Sequence, residues 1–107
     1  MDLHELALER SLAFHRAVAS YLLKDPLILE KARQRIKVWR EQTPDRPFVR
    51  EWEKILAQDA ESVAAFLMDR GDLAVELRQS SPFAGVLDAR ERWSIWRETR
   101  ERLESKR

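Results

Sequence analysis

Ser80-Ser81-Pro82-Phe83-Ala84-Gly85-Val86-Leu87, running on into Asp88-Ala89-Arg90-Glu91-Arg92-Trp93-Ser94-Ile95-Trp96, is the stretch that decides how the chain is read. Ser81-Pro82 suits the cap of a single helical turn, and Gly85 suits its stop. Phe83, Val86 and Leu87 are too apolar for a solvated linker, so this connector is expected to lie against the body, anchored by those three side chains. Asp88 followed by Glu91 is a capping-box pattern that opens a final helix. Along that helix Trp93, Trp96, Arg100 and Leu103 recur at spacings of three, four and three, while Ile95 projects elsewhere. The polar end, Glu101 to Arg107, is expected to fray.

Working back toward the start, the same helical punctuation repeats. Asp2 with Glu5 caps a first helix reaching Lys24, with Leu8, Leu12, His15, Ala19 and Leu22 or Leu23 on one stripe. Phe14, Ala17, Val18 and Tyr21 broaden that stripe, which predicts neighbours on more than one side. Asp25-Pro26 ends one helix and starts the next, because proline at the first helical position lacks only an N–H that would be unpaired there anyway. Leu29, Ala32, Ile36 and Trp39 then recur at helical spacing as far as about Gln42. Thr43-Pro44-Asp45-Arg46-Pro47 is the clearest loop. Pro47 opens a third helix with Phe48, Val49, Trp52, Ile55 and Leu56 on its buried face. Asp59 caps a fourth with Val63, Phe66 and Leu67. Arg70-Gly71-Asp72 reads as a glycine stop followed by a new N-cap, opening a short helix that carries Leu73, Val75 and Leu77. No strand alternation, internal repeat or sustained heptad interrupts the pattern. The expected fold is all-α, one domain spanning 1–107, as a compact bundle of five to six helices.

Composition narrows the function classes. With 107 residues, 44% hydrophobic and 36% charged, the chain has material for one core under a charged surface, which disfavours disorder. Cysteine is absent, so disulfides and thiolate metal sites are excluded. No apolar run approaches the roughly 20 residues needed to span a bilayer, and acids stand near the start where a signal peptide carries basic residues. A cytoplasmic location without membrane contact is the expectation. Net charge is +1 but unevenly spread. Lys31, Arg33, Arg35, Lys37 and Arg40 form a basic run, and acids from Glu51 to Glu76 outnumber Lys54 and Arg70.

Catalytic and metal chemistry find no motif. Nucleophilic catalysis needs a serine, threonine or cysteine beside a positioned base, and the histidines are His4 and His15 alone. Eleven residues apart on one helix, they sit about 16 Å from each other and cannot share a metal. No catalytic, cofactor-binding or metal site is assigned, and the chain reads as a non-enzyme. The basic run suits salt-sensitive contact with nucleic acid through Lys31, Arg33, Arg35, Lys37 and Arg40, or a solvated helix face. A helix-turn-helix in the third and fourth helices is poor on chemistry, because those helices are acidic. Trp93 and Trp96 have two readings, core or interface. Arginines surround them, and tryptophan with arginine is the pairing enriched at binding hot spots. The partner-binding candidates are Trp93, Trp96, Arg97 and Arg100, with His15 and Arg16 on the first helix as a second contact.

Ala7-Leu8-Glu9-Arg10-Ser11-Leu12-Ala13-Phe14-His15-Arg16-Ala17-Val18-Ala19, together with Leu77 to Leu87 and Glu91-Arg92-Trp93, resembles a group of short bacterial antitoxins of two-gene toxin–antitoxin modules. The likeness covers both ends of the chain, and the middle is less distinctive. It implies a protein that binds a toxin enzyme and silences it by covering its active site. A kinase of the zeta type, a nucleotidyltransferase and a ribonuclease are the candidate toxins. Antitoxins of the epsilon type are small helical bundles that block the nucleotide site of their kinase with a helix, but no functional residue of that group carries over to a position here. The ribbon-helix-helix pattern of antitoxins that repress their own operon is missing. A small nucleic-acid-associated regulator is the alternative function, and self-association remains open.

Overall fold

The computed structural model describes residues 2–106. Six helices follow in order: α1 (Leu3–Lys24), α2 (Pro26–Gln42), α3 (Pro47–Leu56), α4 (Ala60–Leu67), α5 (Asp72–Arg78) and α6 (Ala89–Ser105), with no strand among the described residues. The bundle is all-α. No helix among the described residues is long and apolar enough to cross a membrane.

Capping explains most boundaries. The carboxylate of Asp2 accepts from the backbone N–H of His4 and Glu5, that of Asp25 from Leu27, that of Asp59 from Ser62, and that of Asp88 from Glu91. Each satisfies backbone donors that a helix start otherwise leaves unpaired. Asp25 also closes α1, donating its own N–H to the Tyr21 carbonyl. α5 departs from expectation: Gly71, not Asp72, is its N-cap, and Asp72 lies in the first turn, where its charge favours the positive end of the helix. Here the Asp69 carboxylate accepts from the Gly71 N–H at 2.7 Å and shapes the turn.

α1 is the organising element, packing on α2, α4, α5 and α6. Its buried residues, Leu12, His15, Val18, Ala19 and Leu22, follow the expected stripe, which Leu6 extends toward the start. Leu23 and Tyr21 are exposed, and the Tyr21 hydroxyl donates to Glu91 at 2.6 Å, tying α1 to α6. Trp52 lies at the centre of the core with no exposed surface. Its ring meets Phe66 at 5.8 Å and Phe83 at 6.1 Å, both edge-to-face, and its indole N–H donates to the Leu77 carbonyl at 3.2 Å. On α5 the stripe is rotated from expectation. Ala74, Leu77 and Arg78 point inward and Leu73 is exposed, because a helix only two turns long presents one narrow face to α1 and α3.

The connector is packed as its composition demands. Phe83 and Leu87 are buried, Val86 is half-buried against the same core, and the Ser81 hydroxyl accepts the Phe83 N–H at 3.1 Å, closing the turn. Arg35 clamps it from α2 by donating to the Pro82 and Ala84 carbonyls. Gly85 has φ +90°, and a Cβ placed there meets nothing within 4 Å. The cost of a side chain at this position is therefore conformational rather than steric. Gly85→Ala is expected to lower stability by about 1 kcal/mol, read as a lower urea midpoint at unchanged m-value.

Candidate functional site

α6 lies along α1 with Thr99 and Leu103 buried and Ile95 half-buried. The inward stripe is thus 95, 99 and 103, spaced by four, rather than the 93, 96, 100, 103 row suggested by spacing alone. Across the contact, Ala13, Ala17 and Ser20 of α1 line a groove together with Ile95 and Thr99. Trp93 is 62% exposed and Trp96 50%, with ring centroids 6.4 Å apart. Neither belongs to the core. Arg97 and Arg100 stand on the exposed side, and Arg100 pairs with Glu104 at 3.1 Å. Arg16 is exposed beside α6, where it lines a groove with Glu98 and Arg102.

His15 is packed within the protein, as its place on the α1 stripe allows, and is not available as a surface contact. It is 3% exposed, and both ring nitrogens are engaged inside the protein. Nδ1 lies 2.7 Å from the Ser11 carbonyl and Nε2 lies 2.7 Å from the Ser81 hydroxyl. A carbonyl only accepts, so Nδ1 carries the proton, and in the neutral ring Nε2 accepts from Ser81. Burial lowers the pKa of His15 to about 4. The bond to Ser11 opposes that shift and the nearby Arg78 charge adds to it. A serine hydroxyl donating to a histidine is also the first element of an acyl-transfer site. Here the imidazole is far less basic than a general base working near pH 7 requires. The pair is a latch that joins the first helix to the connector 66 residues later.

Beside this latch, α1, the connector and α6, with Trp39 of α2 and Arg78 of α5, line an open cleft of about 590 Å³. Its walls include Phe14, Trp39 and Trp96, and its cations are Arg10, Arg78 and Arg92. Arg10 holds its guanidinium carbon 4.2 Å over the Trp96 ring, a cation–π contact that orients both side chains. Arg78 is buried and donates to the Leu67 and Asp69 carbonyls, satisfying the end of α4. Helical spacing does not single out Arg10 or Arg78, whereas it does place Trp39 on the apolar stripe of α2. A sequence signal does exist for part of the cleft: Arg10, Phe14 and Ser11, His15 are pairs four apart on one side of α1.

The basic run on α2 is largely committed to the fold. Arg33 donates to the Leu56 and Gln58 carbonyls at the end of α3, and Arg35 to the connector, while Arg40 pairs with Glu53 at 2.6 Å. Arg35 and Arg40 remain exposed beyond these bonds. Lys31 and Lys37 are exposed and make no hydrogen bond or ion pair among the described residues. A second cavity of about 570 Å³ lies between α2 and α3, and there Glu41 and Glu53 partly offset Arg33, Lys37 and Arg40. Comparison with family models, with curated proteins and with solved structures finds no match to this chain.

Proposed function

We propose that this protein is a cytoplasmic, antitoxin-like interaction protein that binds a partner enzyme and neutralises it sterically. The observation that carries the reading is the exposed Trp93–Trp96 pair on α6, flanked by Arg97 and Arg100. Two neighbouring indoles left in water give up hydrophobic stabilisation that burial against a partner recovers. Tryptophan and arginine supply most of the binding energy at many protein interfaces. The resemblance of both chain ends to short antitoxins supports the same reading, with a kinase, a nucleotidyltransferase or a ribonuclease as the enzyme class.

The test is co-expression with the product of the neighbouring gene. Co-purification of a complex, with relief of growth inhibition caused by the neighbour alone, is the expected result. No complex and no effect on growth removes the reading. Within a complex, Trp93→Ala with Trp96→Ala is expected to weaken binding by at least 2 kcal/mol, about thirtyfold in Kd. The free protein should stay folded, with its melting temperature lowered only by the lost Arg10–Trp96 contact, because neither indole is part of the core.

A further inference from the structure

We propose that the cleft between α1, the connector and α6 is a binding site for a small organic anion carrying a flat apolar body, in the class of nucleoside monophosphates and aromatic carboxylates. This goes beyond the partner reading, because such a ligand needs no second protein.

Charge is the first observation. Arg10, Arg78 and Arg92 converge on one cavity whose lining includes no aspartate or glutamate. None of the three forms an ion pair among the described residues, whereas Arg33, Arg40, Arg70, Arg100 and Arg102 all do. His15 on the same wall is neutral near pH 7 and adds no charge. Arg78 already donates to the Leu67 and Asp69 carbonyls, so Arg10 and Arg92 are the guanidinium groups left to offer an anion two-point hydrogen bonds.

The second observation is independent of charge. The Nε of Arg10 is buried and has no hydrogen-bond partner. Buried donors are nearly always satisfied, and this one lies beneath the surface of a side chain that lines the cleft, so the terminal nitrogens of Arg10 are the donors within an anion's reach. Stacking on Trp96 holds this guanidinium in place, so its donors are already arranged.

The third is shape. Trp39, Phe14 and Trp96 give the cleft flat apolar walls, and about 590 Å³ falls within the range of roughly 300–1,000 Å³ usual for small-molecule sites. Arginines alone would suit inorganic phosphate. Aromatic walls beside them suit an anion attached to a ring.

The purified full chain, isotopically labelled, is titrated with AMP and, separately, with cinnamate. Adenosine, cinnamamide and inorganic phosphate serve as controls. The arginine Nε–H and indole N–H resonances report binding. At least one of AMP and cinnamate is expected to bind about tenfold or more tightly than its neutral counterpart, shifting the Arg10 Nε–H and Trp96 indole signals. AMP binding alone assigns a phosphate, and cinnamate binding alone assigns a carboxylate. Arg92 is exposed, so Arg92→Gln should fold normally and weaken the binding about tenfold or more. Arg10→Lys, which keeps the charge but removes the planar two-point donor, should weaken it as well. The proposal is overturned if neither anion binds in the low millimolar range, if the neutral compounds bind equally well, or if inorganic phosphate alone matches AMP. Unchanged binding by a folded Arg92→Gln variant overturns it too. The two sites share Trp96, but none of these failures touches the partner reading, which is tested by co-purification and growth.

Discussion

Trp52→Ala is expected to cost about 4 kcal/mol and to leave the protein on the edge of folding. The indole is wholly buried, so its removal forfeits apolar transfer energy and leaves a void bounded by Phe66 and Phe83. Those two rings come from α4 and the connector, and they lose their common edge-to-face partner at once. In a domain of this size, a loss of that order lowers the melting temperature by roughly 15–30 °C. Trp52→Phe separates packing from hydrogen bonding. It keeps an aromatic ring and deletes the N–H that donates to Leu77. The Leu77 carbonyl still accepts from Ser80 at 3.0 Å, so it is not orphaned, and a milder cost of about 1–2 kcal/mol is expected. Calorimetry of both variants checks the order. A Trp52→Ala protein that melts within a few degrees of the parent would show that the three-ring cluster is not the centre of the core.

Acid is expected to weaken the fold through His15 by roughly 3 kcal/mol between pH 6.5 and about 4. The folded protein holds this imidazole at a pKa near 4 because burial disfavours the charged ring. In the unfolded chain the ring titrates at its ordinary 6.5. Between those values the unfolded state takes up a proton that the folded state refuses, so stability is fully present above pH 6.5 and falls as pH drops toward 4. Arg78 adds to the refusal, and Arg10, which lines the same cleft, brings another positive charge to the surroundings. Protonation also turns Nε2 into a donor and reverses its bond with Ser81. Two carboxylates have lowered pKa values, Glu9 through its bonds to Arg70 and Arg102, and Asp59 through the Ser62 N–H it caps. Their contributions are lost only as pH falls below their ordinary values of 4.5 and 3.8. Urea titrations at pH 7, 6 and 5 therefore isolate the histidine. His15→Gln should be less stable than the parent at pH 7 and flat across that window. A parent protein equally stable at pH 7 and 5 would contradict the buried neutral latch.

The helices themselves were legible because their causes are local. An aspartate before each of α1, α2, α4 and α6 caps the backbone within three residues, and a proline opens α2 and α3. Apolar spacing then identifies Trp52, Val63, Leu67 and the α1 stripe as core, since a residue such as tryptophan among valines and leucines has one stable destination. Phe83 and Leu87 were legible for the same reason: no solvated loop keeps that much apolar surface.

Two matters lay outside the reach of sequence. On α6 the rows 93-96-100-103 and 95-99-103 are both valid helical stripes, and only the packing of α6 along α1 decides that Ile95, Thr99 and Leu103 turn inward. The arginines are the other. Arg10, Arg78 and Arg92 look like any of the chain's surface cations, because a long side chain with an apolar stem and a charged head is at home on either side of the boundary. What fixes them is supplied from a distance: two carbonyls at the end of α4 for Arg78, and an indole 86 residues along the chain for Arg10. Local chemistry alone thus determined the set of helices and the apolar core around Trp52. The outward face of α6 and the cationic, aromatic cleft exist only once α1, the connector and α6 meet, because partners this far apart in sequence leave no periodicity to read.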